Sequence, residues 1–204
     1  MTGLRQWLVS RRLPGAALLA AGLVLFTGHT VISHERARWS GAELILDTRP
    51  VDPRDLLLGH YVEFRYAAQN IDLNALAEPP TFDLDSEDRL WVRFARDPDT
   101  GCHVPDRVSQ TRPDTGVALE AVLRGRFRRS AEGPSRVIHV RYEPALPKRY
   151  YAEREAALAL EGQTRAGAVA VILSVAPERA PLIRGLVVEG ERLEDRIFSR
   201  AGAP

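Results

Sequence analysis

The pattern of apolar and polar positions breaks the chain early. From Leu13 to Ile32, twenty residues carry no formal charge, and only Thr27, His29 and Thr30 interrupt the apolar run. At about 1.5 Å per residue, a helix of that length covers roughly the 30 Å hydrocarbon layer of a bilayer. A helix packed on a globular core keeps a polar stripe, and this one has none. The pattern predicts a transmembrane helix over 13–32, preceded by a short head over 1–12. A charged stalk over 33–42 is expected to continue the helix.

Beyond the stalk the periodicity changes from helical to alternating. Tyr61, Glu63 and Arg65 alternate with Val62, Phe64 and Tyr66, so the two sets lie on opposite faces of a strand, with the second set towards the core. Glu43–Thr48, Arg89–Arg96, Val117–Phe127, Val137–Tyr142, Gly167–Val175 and Pro181–Glu189 read as further strands. Asn70–Leu76 reads as a turn or short helix, Asp97–Gly116 as a polar loop and Arg128–Pro134 as a hairpin turn. A helix fits Glu153–Glu161, with Gly162 placed to end it. The expected fold is mainly β, a β-rich α+β domain with antiparallel sheets over 43–192, followed by a tail over 193–204.

Charge changes the picture only when divided by position. The chain has 204 residues with 28 basic and 27 acidic side chains, and Arg5, Arg11 and Arg12 all precede the first acidic residue, Glu35. The remainder carries 25 basic and 27 acidic groups. Basic residues beside an apolar span stay in the cytoplasm, so the expected topology is N-in with the domain exported. A cleaved signal peptide and a soluble apolar helix are the competing readings. The first lacks a small-x-small site after the apolar run, and the second lacks the polar stripe. A slightly acidic domain without a basic face gives no reason to expect nucleic acid. A single Cys excludes an intramolecular disulfide framework.

The run Gly59-His60-Tyr61-Val62-Glu63-Phe64-Arg65-Tyr66 resembles the signature of the bacterial GDYXXLXY family. Gly59, Tyr61 and Tyr66 match; His60 stands at the family's Asp position and Phe64 at its Leu. Arg149-Tyr150-Tyr151-Ala152-Glu153-Arg154-Glu155 is similar to the family's aromatic segment leading into a short acidic helix. Leu182-Ile183-Arg184-Gly185-Leu186-Val187-Val188-Glu189-Gly190 is similar to its closing strand and turn. The family's function is uncharacterised. The resemblance implies a bacterial inner-membrane protein with its domain in the periplasm and a multi-pass membrane protein as partner.

Candidate chemistry clusters around those same segments. Gly59 suits a tight turn before the strand, and Tyr61 and Tyr66 have opposite parity, so one of them can present its hydroxyl at a site. Arg149, Tyr150, Glu153 and Glu155 form the densest polar and aromatic group. Convergence of that group with His60 would make a cation or polar-peptide site. The ligand- or partner-binding candidates are therefore Gly59, His60, Tyr61, Tyr66, Arg149, Tyr150, Glu153 and Glu155. Cys102-His103 is half of a metal pair with no second half in the sequence, so neither a metal nor another cofactor is expected. A Ser/Lys hydrolase finds no Ser between Ser40 and Ser86 to serve the only lysine, Lys148. The reading is a membrane-anchored extracytoplasmic binding or accessory subunit. The alternative is an extracytoplasmic enzyme or processing factor.

Overall fold

The computed structural model describes residues 3–49, 61–82, 84, 87–129, 136–152, 159–160, 162–164, 167–177 and 179–194, with the backbone alone for 3–14 and 125–129. The chain divides into two units, Met1–Ala37 and Arg38–Pro204. Helix α1 runs Gly3–Ser40. Leu23, Val24, Leu25 and Phe26 are four successive residues that together point to all sides of the helix, and each is 64–73% exposed. Over its most apolar window the mean hydropathy is 1.8 and no residue is buried. Such a helix is matched to lipid rather than to a protein core, and it spans the membrane once. The hydroxyls of Thr30 and Ser33 donate to the carbonyls of Phe26 and Thr30, both at 2.9 Å, which satisfies them without water.

The second unit is built from twelve strands among the described residues. They are β1 (Ala42–Arg49), β2 (Tyr61–Glu63), β3 (Arg65–Tyr66), β4 (Asn70–Asp72), β5 (Arg89–Arg96), β6 (His103–Ser109), β7 (Val117–Arg129), β8 (Arg136–Tyr142), β9 (Arg149–Tyr151), β10 (Val169–Val175), β11 (Leu182–Val188) and β12 (Glu191–Glu194). One five-stranded sheet has the order β12-β11-β10-β1-β3, a second the order β4-β8-β7-β5-β6, and β2 and β9 form a two-stranded ribbon. All these pairings are antiparallel. The mainly β domain behind one apolar helix is thus as the periodicity indicates.

One hydrophobic core joins the three layers. Leu44 and Leu46 of β1 meet Val62, Phe64 and Tyr66 of the motif strand, Leu90, Val92 and Phe94 of β5, and Val169, Val171 and Leu173 of β10. A smaller cluster of Ile45, Ala170 and Ile172 lies on the opposite face of β1 and β10, against Cys102 and Val187. β10 is therefore covered on both sides, which is why its sequence VAVILSV is apolar at every position but Ser174 instead of alternating.

Four expectations need correction. Part of the Asp97–Gly116 loop is strand β6, which pairs with β5 at the edge of its sheet. Its HVPDRVS sequence hides the strand because Pro105 sits where the register shifts, at an edge that tolerates a missing donor. Asn70–Leu76 begins as strand β4 and turns only after Asp72. Gly162 does not end the helix predicted over Glu153–Glu161. Residues 159–160 and 162–164 are helical, and the stop is Gly167 at φ 72°. There the Gly167 amide donates to the Thr164 carbonyl and the Ala168 amide to the Gln163 carbonyl, a Schellman closure. The tail expected from 193 starts too early, because β12 continues to Glu194 across a two-residue turn in which Glu189 and Gly190 take φ of 52° and 86°. Residues 153–158 and 161 of the predicted helix, and 56–60 of the run before the motif strand, lie outside the described residues.

Candidate functional site

The motif strand and the aromatic segment, nearly ninety residues apart in sequence, meet as the β2–β9 ribbon. Tyr61 pairs with Tyr151, Val62 with Tyr150 and Glu63 with Arg149. The Phe64 amide extends the pairing by donating to the Lys148 carbonyl at 2.7 Å. Directly opposed residues of an antiparallel pair share a face, so the ribbon sorts its side chains into two sets.

The inward set holds the domain together. Val62 is 4% exposed, Phe64 0% and Tyr66 1%, and Tyr150 packs against the same core. Tyr66 donates its hydroxyl to the Pro147 carbonyl at 2.5 Å, which ties the motif strand to the approach to β9. Burial raises the Tyr66 phenol far above its ordinary range, so it remains a protonated donor. Tyr142 is held in the same way, donating to the Ala68 carbonyl at 2.7 Å.

The outward set is Tyr61, Glu63, Arg149 and Tyr151. The Tyr61 and Tyr151 rings lie 6.0 Å apart, tilted by 56°. The Arg149 guanidinium carbon stands 4.9 Å over the Tyr61 ring, within cation–π range. Tyr151 is 72% exposed, although an aromatic ring next to a core normally turns into it. The result is a platform of two tilted phenols and a guanidinium at the surface. Such groups can stack, donate hydrogen bonds and accept an anion.

Of the eight candidates, the structure brings together Tyr61, Tyr66, Arg149 and Tyr150, and divides them between the two faces. Gly59, His60, Glu153 and Glu155 lie outside the described residues. Tyr151 is the residue that sequence reasoning passed over in favour of Tyr150. The signal that finds it is strand parity: with 149–151 read as a strand beside 61–63, position 151 joins Tyr61 outside and position 150 joins the core.

Cys102 and His103 serve the fold. The Ile45 amide donates to His103 Nδ1 at 3.1 Å, and Cys102 packs on the small Ile45 cluster. Burial, with Arg96 nearby, holds His103 below the usual histidine range, and burial raises the Cys102 thiol. Among the described residues no three His, Cys, Asp or Glu side chains gather as a metal set. At the start of the second unit Arg38 donates to the carbonyls of Ile183 and Arg184, at 3.1 and 3.3 Å, and Trp39 lies 4.3 Å under the Arg184 guanidinium. Glu43 accepts from Arg192 at 2.6 and 3.0 Å, and these bonds hold its carboxyl below the usual range.

Residues 23–186 match the family model described as GDYXXLXY protein, a span that begins in the membrane helix and ends within β11. The chain belongs to the GDYXXLXY family. No curated protein and no solved structure matches it. In this family member, a membrane-anchored protein with an extracytoplasmic β-domain, the two tyrosines of the signature have separate tasks. Tyr66 is a buried strut and Tyr61 is part of the surface platform.

Proposed function

We propose that this GDYXXLXY protein is a binding or accessory subunit, tethered N-in by residues 13–32, that docks a multi-pass membrane protein through the outward face of the β2–β9 ribbon. The observation that carries the reading is the Tyr61–Tyr151–Arg149 platform, half-buried at Tyr61 and exposed at Tyr151 and Arg149, built where the family signature meets its aromatic segment. Tyr and Arg supply large contact area and dominate interface energetics once desolvated, whereas rings left in water contribute little to the free domain. Tethering supports the same reading. A single span confines the domain to the membrane surface, so its effective concentration towards another membrane protein is high without strong intrinsic affinity.

Mild crosslinking of intact membranes, followed by identification of what is joined to the wild type and to Tyr61→Ala, tests this. The wild type is expected to capture a polytopic protein, and Tyr61→Ala to lose it while keeping its thermal midpoint. Finding no protein above background with the wild type would overturn the proposal.

A further inference from the structure

Five arginines of the β4-β8-β7-β5-β6 sheet are neutralised by carboxylates where they stand, whereas the exposed Arg96 of β5 donates, among the described residues, only to the Gly101 carbonyl. Arg89 pairs with Glu120 at 3.0 Å, Arg93 with Asp106 at 2.6 Å, Arg107 with Glu78 at 3.0 Å, Arg124 with Glu87 at 2.9 Å and Arg141 with Glu143 at 2.5 Å. On the other sheet Arg184 and Arg192 share Glu43 and Glu194.

The surface beside the motif departs from that rule. Arg49, the last residue of β1, lies directly opposite Arg65 of β3 in antiparallel register, and both are exposed. Their Cβ atoms are therefore roughly 5 Å apart on one face, an arrangement that is unfavourable for like charges. Neither forms an ion pair among the described residues. Arg65 continues the alternation of Tyr61 and Glu63, so the pair stands on the outward side of the motif strand, further along it than the tyrosine platform, where Arg149 is stacked on Tyr61. Two carboxylates are near without closing on them. Asp47 Oδ1 accepts from the Thr48 amide, and Glu63 is exposed opposite Arg149.

Resting on the docking role proposed above, we infer that Arg49 and Arg65 receive an acidic segment of the membrane partner. Guanidinium groups side by side present forked donors that match carboxylates, and the adjoining tyrosines give the contact the aromatic and Arg composition of a protein interface. The like-charge cost in the free domain is relieved when the carboxylates arrive, which makes the pair selective for an anionic partner.

The test uses the full chain in intact membranes with a photo-crosslinking side chain at position 63, exposed on the outward side between Tyr61 and Arg65. Wild type, Arg65→Glu and Tyr61→Ala are compared, and thermal midpoints are measured on detergent-solubilised protein. Arg65→Glu turns a like-charge pair into an opposite-charge pair. It is expected to keep or raise the midpoint while lowering the crosslink yield about tenfold. The wild-type crosslink should map to a stretch carrying at least two Asp or Glu residues, and reversing those to Arg should restore the yield with Arg65→Glu. An unchanged yield with Arg65→Glu, with the yield still lost in Tyr61→Ala, would overturn the acidic segment and leave the docking role standing. Crosslinks to lipid alone would overturn it in favour of an anionic membrane surface. No adduct in any background would overturn this inference and the docking role together.

Discussion

Tyr61 and Tyr66 stand five positions apart in one short signature, and odd spacing on a strand sends them to opposite faces. That consequence is legible from alternation alone, and so are Val62 and Phe64 as core residues. Alternation does not say which tyrosine of a pair such as Tyr150 and Tyr151 faces outward, because the answer depends on a register with a strand far away in sequence. His103 shows the same limit. Beside Cys102 it reads as half of a metal site, yet its Nδ1 is an acceptor for the Ile45 amide, a bond no local pattern announces. Protonation would remove that acceptor and charge a half-buried ring. The folded state holds His103 below the unfolded value of about 6.5, so the unfolded chain binds the proton more readily. The stabilisation from neutral His103 is present above that value and is lost as pH falls through it. Thermal midpoints of the full chain in detergent should therefore drop between pH 7.5 and 5.5, and His103→Asn should flatten that drop. An equal drop in the variant would reject the assignment.

Among the elements, the strands with clean alternation or apolar runs were readable, the edge strand β3 included, and the edge strands β4, β6 and β12 were not. β6 carries a proline and a bulge, and β12 is four residues of which three are charged; both are edges, where such features blunt further pairing. Such features resemble loop sequence, which is why β6 reads as part of a polar loop and the tail reads as starting inside β12. Gly185 is an exception that sequence does reveal as a glycine without revealing its reason. It lies where β11 bulges against β10, and a Cβ there would come within 2.4 Å of the Leu193 carbonyl oxygen and 2.9 Å of the Glu194 side chain. Gly185→Ala is expected to force β12 away and cost about 1–3 kcal/mol. A lowered thermal midpoint with faster proteolysis beyond Gly190 would show it, whereas an unchanged midpoint would contradict the close approach.

For the whole molecule, charge division and the apolar span carry the placement. An all-round apolar helix needs no tertiary information to be recognised, and the helix from Gly3 to Ser40 includes the whole expected span and most of the stalk. The N-in orientation predicts that protease added to spheroplasts digests the domain and leaves a membrane-embedded N-terminal fragment, and full protection would contradict it. The candidate site was legible only in outline. The family signature names the right strand and the Arg149–Tyr151 segment, while their convergence into one ribbon with a structural face and a contact face is a product of long-range pairing. Comparing the two faces in one experiment tests that division most directly. Tyr61→Ala and Tyr151→Ala on the outward face are set beside Phe64→Ala and Tyr66→Phe on the inward face, each scored for thermal midpoint and for partner crosslink in intact membranes. The account predicts that the outward pair loses the partner at an unchanged midpoint. It also predicts that the inward pair loses stability, by about 3–5 kcal/mol for Phe64→Ala and about 1 kcal/mol for Tyr66→Phe. Partner capture that survives both outward substitutions would contradict it.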